Sequence, residues 1–469
     1  MANKRPKRYV VNIVTTQQIK VNLPVEEMPK RWYNILPNLP AGYPPPLDPK
    51  TLKPLSPEPL LRLFAKECIM QAVSTETEIA IPEEVLETYM RIGRPTPLQR
   101  ATRLERHLGT PAKIYYKRED VNPVGSHKPN TAIPQAYYSM KDGVERLTTE
   151  TGAGQWGSAL ALACALYGLD LTVYMTRSSY LTKPGRKTVM EAYGAEVYPS
   201  PSNNTEAGKK MLKNDPNHPG SLGIAISEAV EDALSDEKSK YSLGSVLDFV
   251  LLHQSIVGLE AKRQMELLDA YPDFVVGCIG GGSNYGGLSY PFMHDKLKGK
   301  RDTRFIAAEP LAVPSTTKGV YQYDYGDTAE ITFLAKMYTV GHTFQCPPIH
   351  AAGLRYHGKA PSMSFLINKG FMESRAYGQK QAMEAAETFA KTEGFIAAPE
   401  TAHAIRTVID LALECKKANQ EKTILFNYSG HGLLDLSVYD EYRAKTLKDF
   451  EATKEMLEAG IKAIPKIPA

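Results

Sequence analysis

An alternation of strand-like and helix-like segments, beginning near residue 110, constrains the fold of this chain more than any other feature. Short apolar runs alternate with segments whose apolar residues recur at helical spacing. The strand-like runs are AKIYYKRED, LDLTVYM, AEVYPS, DFVVGCIG, RFIAAEP and KTILFNYSG. Repeated βα units predict parallel twisted sheets covered by helices on both faces. We therefore expect an α/β fold of two domains, with a ligand in the cleft at the carboxyl ends of the strands.

Two regions depart from this alternation. Residues 1–93 are rich in proline, as in NILPNLPAGYPPPLDP, which predicts an extended arm with a helix around EPLLRLFAKECIMQAV. Residues 311–370 show no regular pattern and are expected to be irregular. Between the βα units, HQSIVGLEAKRQMELLDAY is expected to form a helix.

Composition excludes several classes of protein. The 469 residues suffice for roughly two or three domains, and no apolar run approaches the length of a membrane span. The formal charge of +4 is small and the basic start KRPKR has no interleaved aromatics, so we expect no nucleic-acid partner. The N-terminus has no secretory pattern. Five cysteines without CxxC spacing argue against a disulfide framework or structural zinc and favour a reducing cytoplasm.

Lys128 stands in an unusual local sequence, GSHKPNTAIPQA. Pro129 suits the first position of a helix, so Lys128 should abut a helix N-terminus. The helix dipole and burial would both lower the pKa of this lysine. An amine of that kind can act as a nucleophile, a Schiff-base former or a proton carrier. The alternative is an exposed loop lysine.

A glycine loop follows one predicted strand. GGGSN, at 280–284, lies between DFVVGCIG and a helix-like segment, so its backbone N–H groups and the helix dipole predict a phosphate cradle. The GxGxxG fingerprint with its acidic ribose ligand is not evident and no Walker lysine follows, which favours a single phosphate. A plain glycine turn is the alternative.

Two further loops should reach the same cleft. ETGAGQWG places Glu150 and Thr151 before an apolar helix, where backbone amides suit a carboxylate and Glu150 suits a general acid or base. The alternative is that Glu150 only caps its helix. NYSGHG ends the last strand, and Ser429 either faces the cleft or satisfies local backbone.

A phosphate cradle together with a lysine of lowered pKa indicates pyridoxal phosphate, which forms a Schiff base with lysine and serves as an electron sink. A serine, unlike an aspartate, would leave the pyridine nitrogen largely unprotonated. That environment favours elimination and replacement at the β-carbon over transamination.

Seven ordered motifs between about residues 95 and 440 resemble the tryptophan synthase beta chain family. They are KREDVNPVGSHKPNTA, ETGAGQWG, EAYGAEV, GCIGGGSN, AAGLRYHG, EGFIAAPETAHA and FNYSGHG. The N-terminal arm, the proline after the lysine and the tryptophan in GAGQWG are similar to the second, extended type of this family. This resemblance implies a chain that works without an alpha subunit or with weaker attachment to it.

The resemblance implies roles for individual residues. Lys128 would form the Schiff base and move the α-proton, and Glu150 would assist loss of the leaving group and then activate indole. The cofactor contacts implied are His127, Lys128, Asn130, Gly280, Gly281, Gly282, Ser283, Asn284, Glu400 and Ser429. The implied contacts to the substrate carboxylate are Thr151, Gly152, Ala153, Gly154 and Gln155. A monovalent cation is also implied, without side-chain ligands.

The domain organisation implied is that of fold-type II pyridoxal enzymes, with two three-layer αβα domains and the active site between them. We expect an N-terminal domain at 127–248, of which about 143–235 would be a mobile subdomain. A cofactor-binding domain would comprise 94–126 and 249–446, followed by a tail at 447–469. A homodimer is expected.

Two positions depart from the family pattern. Arg355 stands where the family has an aspartate thought to meet the serine hydroxyl, and His431 stands where it has an arginine. Because a guanidinium matches a phosphate dianion, we hypothesise that Arg355 binds the leaving group of O-phospho-L-serine. The alternative is a solvated surface arginine, or one that pairs with a local carboxylate such as Glu400. Trp156, where histidine is usual, is expected to reshape packing.

We therefore expect a carbon–oxygen lyase that makes L-tryptophan from indole and L-serine or O-phospho-L-serine. The alternative is a related enzyme that uses a thiol, as in cysteine synthesis, or deaminates serine. A cofactor-binding protein without turnover is disfavoured because Lys128, Glu150 and Ser429 are all present.

Overall fold

The computed structural model describes residues 19–467; the KRPKR segment and the predicted lack of a secretory signal concern residues outside this range. The strands are β1 Lys20–Val21, β2 Arg31–Tyr33, β3 Glu78–Ala80, β4 Leu98–Arg100, β5 Lys113–Arg118, β6 Arg146–Thr151, β7 Asp170–Thr176, β8 Glu196–Ser200, β9 Ser239–Tyr241, β10 Phe274–Cys278, β11 Arg304–Pro310, β12 Val320–Tyr325, β13 Leu334–Thr339, β14 Glu373–Tyr377 and β15 Thr423–Tyr428. The helices are α1 Glu58–Leu63, α2 Lys66–Ala72, α3 Glu83–Arg91, α4 Thr102–Leu108, α5 Pro129–Lys141, α6 Gln155–Tyr167, α7 Arg177–Thr182, α8 Pro184–Ala192, α9 Glu206–Asn214, α10 Leu222–Ser235, α11 Asp248–Gln254, α12 Ile256–Glu266, α13 Ser283–Leu297, α14 Pro361–Asn368, α15 Gln379–Glu393, α16 Pro399–Ala418, α17 Leu436–Arg443 and α18 Lys454–Lys462.

The larger sheet has seven strands in the order β1-β4-β5-β15-β10-β11-β14. Its strands from β5 to β14 run parallel, while β1 and β4 pair antiparallel at one edge. Successive side chains of a strand point to opposite faces. Accordingly Val275 of β10 packs in one core with Leu288 of α13, and Val276 packs in a second core with Leu411 of α16. Helices therefore cover both faces, which confirms the predicted α/β class.

The smaller sheet has four parallel strands in the order β8-β7-β6-β9. Beside it, α6 is buried along most of its length because it packs against α5 and α8 as well as β6 and β7. This explains why its sequence is apolar on all sides. The smaller sheet and its helices lie between residues 146 and 241, inside the predicted N-terminal domain.

One expectation about local structure was wrong, and two others were confirmed in part. The segment 311–370 is not irregular, since it contains the antiparallel pair β12 and β13 as well as α14. The backbone pairing, from Val320 with Thr339 to Tyr325 with Leu334, forms this hairpin without an apolar repeat in the sequence. The helix predicted for HQSIVGLEAKRQMELLDAY is present as α12, but its first two residues belong to α11. The two helices are separated at Ser255, whose hydroxyl accepts a hydrogen bond from the backbone N–H of Tyr33 at 2.8 Å. In the proline-rich arm, the predicted helix is present as α1 and α2, and the arm also contributes short strands, since β1 joins the larger sheet and β2 pairs with β3.

Several helix N-termini and three strand ends converge between the two sheets. The carboxyl ends of β6, β10 and β15 lie there, as do the first turns of α5, α6 and α13. Within residues 19–467, no helix has both the length and the apolar character needed to span a bilayer.

Candidate active site

A cavity of ≈ 90 Å³ lies at this convergence, and most of the predicted site residues line it. The predicted residues in its wall are His127, Lys128, Glu150, Thr151, Gly152, Ala153, Gln155, Gly280, Gly281, Gly282, Ser283, Asn284, Glu400 and Ser429. Segments separated by as many as 302 residues thus meet at one place, as expected for loops at the carboxyl ends of parallel strands.

Lys128 occupies the N-cap position of α5, with Pro129 as the first helical residue. The side chain is half-buried in the cavity wall. Burial lowers the pKa of its ammonium, although Glu400, Cys278 and Glu150 oppose the shift. The position therefore favours an uncharged amine, as the sequence predicted.

His127 contributes a buried nitrogen that lacks a partner. Its backbone N–H and its Nδ1 both donate to the carbonyl oxygen of Ser429, at 3.0 and 3.2 Å. Its Nε2 has no hydrogen-bond partner among the described residues, and burial lowers the pKa of the ring to about 3. An unpaired buried polar atom in a cavity wall indicates a site for a bound group.

The glycine loop at 280–282 has no room for side chains. A Cβ on Gly280 would collide with the carbonyl oxygen of Gly353, and one on Gly281 would lie 2.5 Å from Ser245 Oγ. Gly282 has a φ of +125° and is the N-cap of α13. The wall therefore exposes backbone amides at a helix N-terminus, which is a favourable environment for a phosphate.

Three hydrogen bonds hold the start of α13 in place. The Nδ2 of Asn284 donates to the carbonyl oxygen of Cys278 at 2.8 Å, and its Oδ1 accepts from Asn427 Nδ2 at 2.7 Å. The backbone N–H of Ser283 donates to Ser245 Oγ at 3.2 Å. Sequence reasoning missed Ser245, which follows β9 and belongs to no recognisable motif.

Glu150 is a buried carboxyl at the end of β6. Its Oε2 accepts a hydrogen bond of 2.5 Å from the hydroxyl of Tyr241. Burial raises its pKa to about 8, although Tyr241, the backbone amide of Glu150 and Lys128 oppose the shift. The side chain does not cap α6, whose N-cap is Gly154, so capping does not prevent it from acting in acid–base chemistry.

The loop between β6 and α6 is connected to the opposite wall. Gln155 Nε2 donates to Glu400 Oε2 at 3.3 Å, and the backbone N–H of Gly353 donates to Glu400 Oε1 at 2.9 Å. Thr151 Oγ1 accepts from the backbone N–H of Gly157 at 3.2 Å. The backbone around Gly152 and Ala153 is left facing the cavity, where it can bind a carboxylate.

Ser429 is buried beside two other polar side chains. Its Oγ lies 2.6 Å from Thr401 Oγ1 and 3.6 Å from Cys278 Sγ. The hydroxyl of Thr401, which the sequence analysis did not single out, completes this neutral cluster. A neutral cluster is compatible with a pyridine nitrogen that stays unprotonated.

Three predicted residues do not line the cavity: Asn130, Gly154 and Arg355. The amide of Asn130 donates to Glu119 Oε2 and Gln254 Oε1 and accepts from Arg94 Nε, so it belongs to a buried ionic network instead. Gly154 has a φ of +92° and faces Arg186.

Arg355 lies between Leu354 and Tyr356, which do line the cavity. Its side chain is half-buried. Within residues 19–467 it forms no ion pair, so the pairing with Glu400 that the sequence left open is absent. Burial raises the pKa of the Cys346 thiol to about 12, and the charge of Arg355 opposes this rise.

Among the described residues, no group of three His, Cys, Asp or Glu side chains is placed to hold a metal ion.

Comparisons with known proteins agree with this arrangement. Residues 89–430 match the family described as "Pyridoxal-phosphate dependent enzyme". The chain is 61% identical to the tryptophan synthase beta chain of Pyrococcus horikoshii over 91% of this chain and 92% of that protein. It is 59% identical to tryptophan synthase beta chain 2 of Thermococcus kodakarensis, over 92% of this chain and 98% of that protein.

Solved structures show the same fold at low sequence identity. Threonine deaminase isoform 2 from Solanum lycopersicum superposes with a TM-score of 0.56 at 17% identity, covering 77% of this chain and 92% of that one. O-acetyl serine sulfhydrylase isoform 3 from Entamoeba histolytica gives 0.53 at 19% identity, covering 81% and 96%. Taken with the closer relatives and the cavity, these matches place the chain in the tryptophan synthase beta chain family of pyridoxal-phosphate dependent enzymes.

Proposed function

We propose that the chain forms L-tryptophan by β-replacement, joining indole to a serine-type amino acid. The observation that carries this proposal is the convergence of Lys128, Glu150 and the glycine loop on one cavity that shares part of its wall with a second, apolar one. Family membership supports the same reaction.

The cavity fits pyridoxal phosphate on its own features. Backbone amides of Gly280, Gly281 and Gly282 and the unpaired Nε2 of His127 would hold the phosphate, and Ser429 would face the pyridine nitrogen. When bound, this cofactor supplies an electron sink that stabilises negative charge at the Cα of an amino acid.

Lys128 and Glu150 divide the proton transfers between them. Because burial lowers its pKa, the Nζ of Lys128 can accept the proton from the substrate Cα and later return it. Because its pKa is raised to about 8, Glu150 carries a proton near neutral pH and can donate it to the departing oxygen. The resulting carboxylate can then orient and deprotonate indole.

The second cavity favours an apolar aromatic nucleophile. It has a volume of ≈ 270 Å³, and the two cavities share Ile226, Leu243, Val246 and Tyr356 in their walls. Its other walls are mostly apolar and include Leu60 of α1 in the N-terminal arm. A sulfide or water nucleophile needs no such space. The second cavity therefore favours indole as the nucleophile over the thiol-using and deaminating alternatives.

The identity of the donor is tested by measuring tryptophan formation from indole with L-serine and with O-phospho-L-serine, in wild type and Arg355→Ala. If Arg355 binds the leaving phosphate, a kcat/KM advantage for phosphoserine should vanish in the variant. A preference for serine that the variant leaves unchanged would assign Arg355 a structural role. Pyruvate without tryptophan from either donor would refute the proposed reaction.

Assembly and location are further parts of the proposal. We expect a homodimer that binds an alpha subunit weakly or not at all, which sedimentation with and without added alpha subunit would test. Activity across K⁺ and Na⁺ concentrations would reveal a monovalent cation. All five cysteines are free thiols, which suits a reducing compartment such as the cytoplasm.

A further inference from the structure

Tyr241 reaches Glu150 because their strands are neighbours. β9 pairs in parallel with β6, with Tyr241 opposite Thr148, and Glu150 lies two residues further along the same face. The hydroxyl of Tyr241 lies 2.5 Å from Glu150 Oε2, and the two residues are only 3% and 4% exposed. This places a second ionisable group in direct contact with the proposed acid–base carboxyl.

The direction of this hydrogen bond follows from the environment. Burial and the neighbouring Glu150 raise the pKa of Tyr241 well above its ordinary value, so the phenol keeps its proton and donates it. Oε2 is thereby occupied as an acceptor. Within residues 19–467, no side chain forms a hydrogen bond to the second carboxyl oxygen of Glu150, Oε1.

We infer that Tyr241 is a positioning residue that directs the transferable proton of Glu150 to Oε1. This inference rests on the proposed function of Glu150 as the acid–base group. A proton on Oε1 is not blocked by the phenol, whereas a proton on Oε2 would have to displace the hydrogen bond that Tyr241 donates.

The ring of Tyr241 fixes where its hydroxyl lies. The ring lines the apolar cavity and packs against Phe64, which follows α1 of the arm, at 5.6 Å between centroids. The charged and ionisable groups around the pair are Lys128, which faces Glu150, and Tyr356 and Asp327, which face Tyr241. The arm is therefore linked through one aromatic contact to the orientation of the carboxyl.

Tyr241→Phe tests the inference because it removes the hydroxyl and keeps the ring. The pKa of Glu150 should rise above that of wild type, since a hydrogen bond to its carboxylate is lost. The limb of the pH profile of kcat/KM that reports the ionisation of Glu150 should move to higher pH. The value of kcat should fall by about tenfold or more, while the KM of the amino acid changes by less than about twofold. The matched control is Tyr174→Phe, which removes a buried hydroxyl bonded to Asp232 at 3.0 Å in the same sheet. The control should leave the pH limb in place.

A second measurement does not depend on turnover. Infrared difference titration of the Glu150 carboxyl, assigned with Glu150→Gln, reports its pKa in the enzyme without substrates. Replacing Tyr241 with 3-fluorotyrosine keeps the fold and makes the phenol a better donor, so it should move the carboxyl pKa opposite to Tyr241→Phe. An unchanged carboxyl pKa in both variants would overturn the inference. If the carboxyl pKa shifts as expected but the enzyme makes no tryptophan, the action of Tyr241 on Glu150 would be upheld and the proposed function would be refuted instead.

Discussion

Lys183 and Asp435 form a buried ion pair, with 2.6 Å between Nζ and Oδ1, that joins the parts of the chain carrying the two sheets. Lys183 lies between α7 and α8, and Asp435 follows β15. Arg186 adds a second contact to the same carboxylate at 3.0 Å. Although burial opposes it, the two cations hold the pKa of Asp435 below its usual range. The pair therefore ties together the two walls that enclose the active-site cavity.

Replacing Asp435 with alanine should destabilise the protein by about 3–5 kcal/mol, because two buried cations would lose their counterion. The thermal unfolding midpoint, measured by calorimetry, checks this. As a control, Glu373→Ala breaks a half-exposed pair with Arg304 and should cost less than about 1 kcal/mol. Equal losses in the two variants would show that the Asp435 pair is no stronger than a surface one.

Lys128→Ala should abolish the visible absorption of a Schiff base with added pyridoxal phosphate and lower tryptophan formation by at least about 10³-fold. The reason is that, within residues 19–467, no other lysine lines the cavity. Lys141→Ala, at the exposed end of the same helix, serves as the control and should behave as wild type. An unchanged spectrum in Lys128→Ala would refute the assignment of the cofactor lysine.

Gly281→Ala should weaken binding of pyridoxal phosphate by about tenfold or more, the equivalent of losing roughly one good hydrogen bond. An added Cβ would lie 2.5 Å from Ser245 Oγ, so the phosphate loop must shift. Fluorescence titration of the apo-protein gives the dissociation constant. In the control Gly185→Ala, the added Cβ would lie 3.6 Å from Leu434, an ordinary contact, and affinity should not change.

Glu150→Gln should gain stability relative to wild type as the pH rises. Burial raises the pKa of Glu150 from 4.5 to about 8, so between these values the folded chain holds a proton that the unfolded chain has released. Stability of the wild type therefore falls with rising pH across this window, and glutamine, which cannot ionise, removes that loss. Unfolding midpoints of both proteins across the window test this, and a constant difference would contradict it.

Much of the site was predictable because local sequence determines where a chain turns and what it exposes there. Pro129 marks the start of α5, which places Lys128 at a helix N-terminus, and the glycines at 280–282 directly follow a strand. Parallel strands bring their carboxyl ends to the same edge of a sheet, so these loops had to meet.

The partners of these residues were not predictable in the same way. Tyr241 reaches Glu150 through the pairing of β9 with β6, and Ser245 reaches the glycine loop from a segment without a motif. Asn130 matched a family position, yet its amide is taken by Glu119 and Gln254. Each of these contacts joins residues that local periodicity does not relate.

The sequence by itself therefore determined the α/β class, the arm and the loops that carry the chemistry, since these depend on periodicity and on proline and glycine at particular places. Only the tertiary structure decided which side chains touch and how strongly each is desolvated. The raised pKa of Glu150 and the ion pair between Lys183 and Asp435 arise from burial among distant segments. Desolvation is a property of the packed chain, because it depends on every element that excludes water from a group.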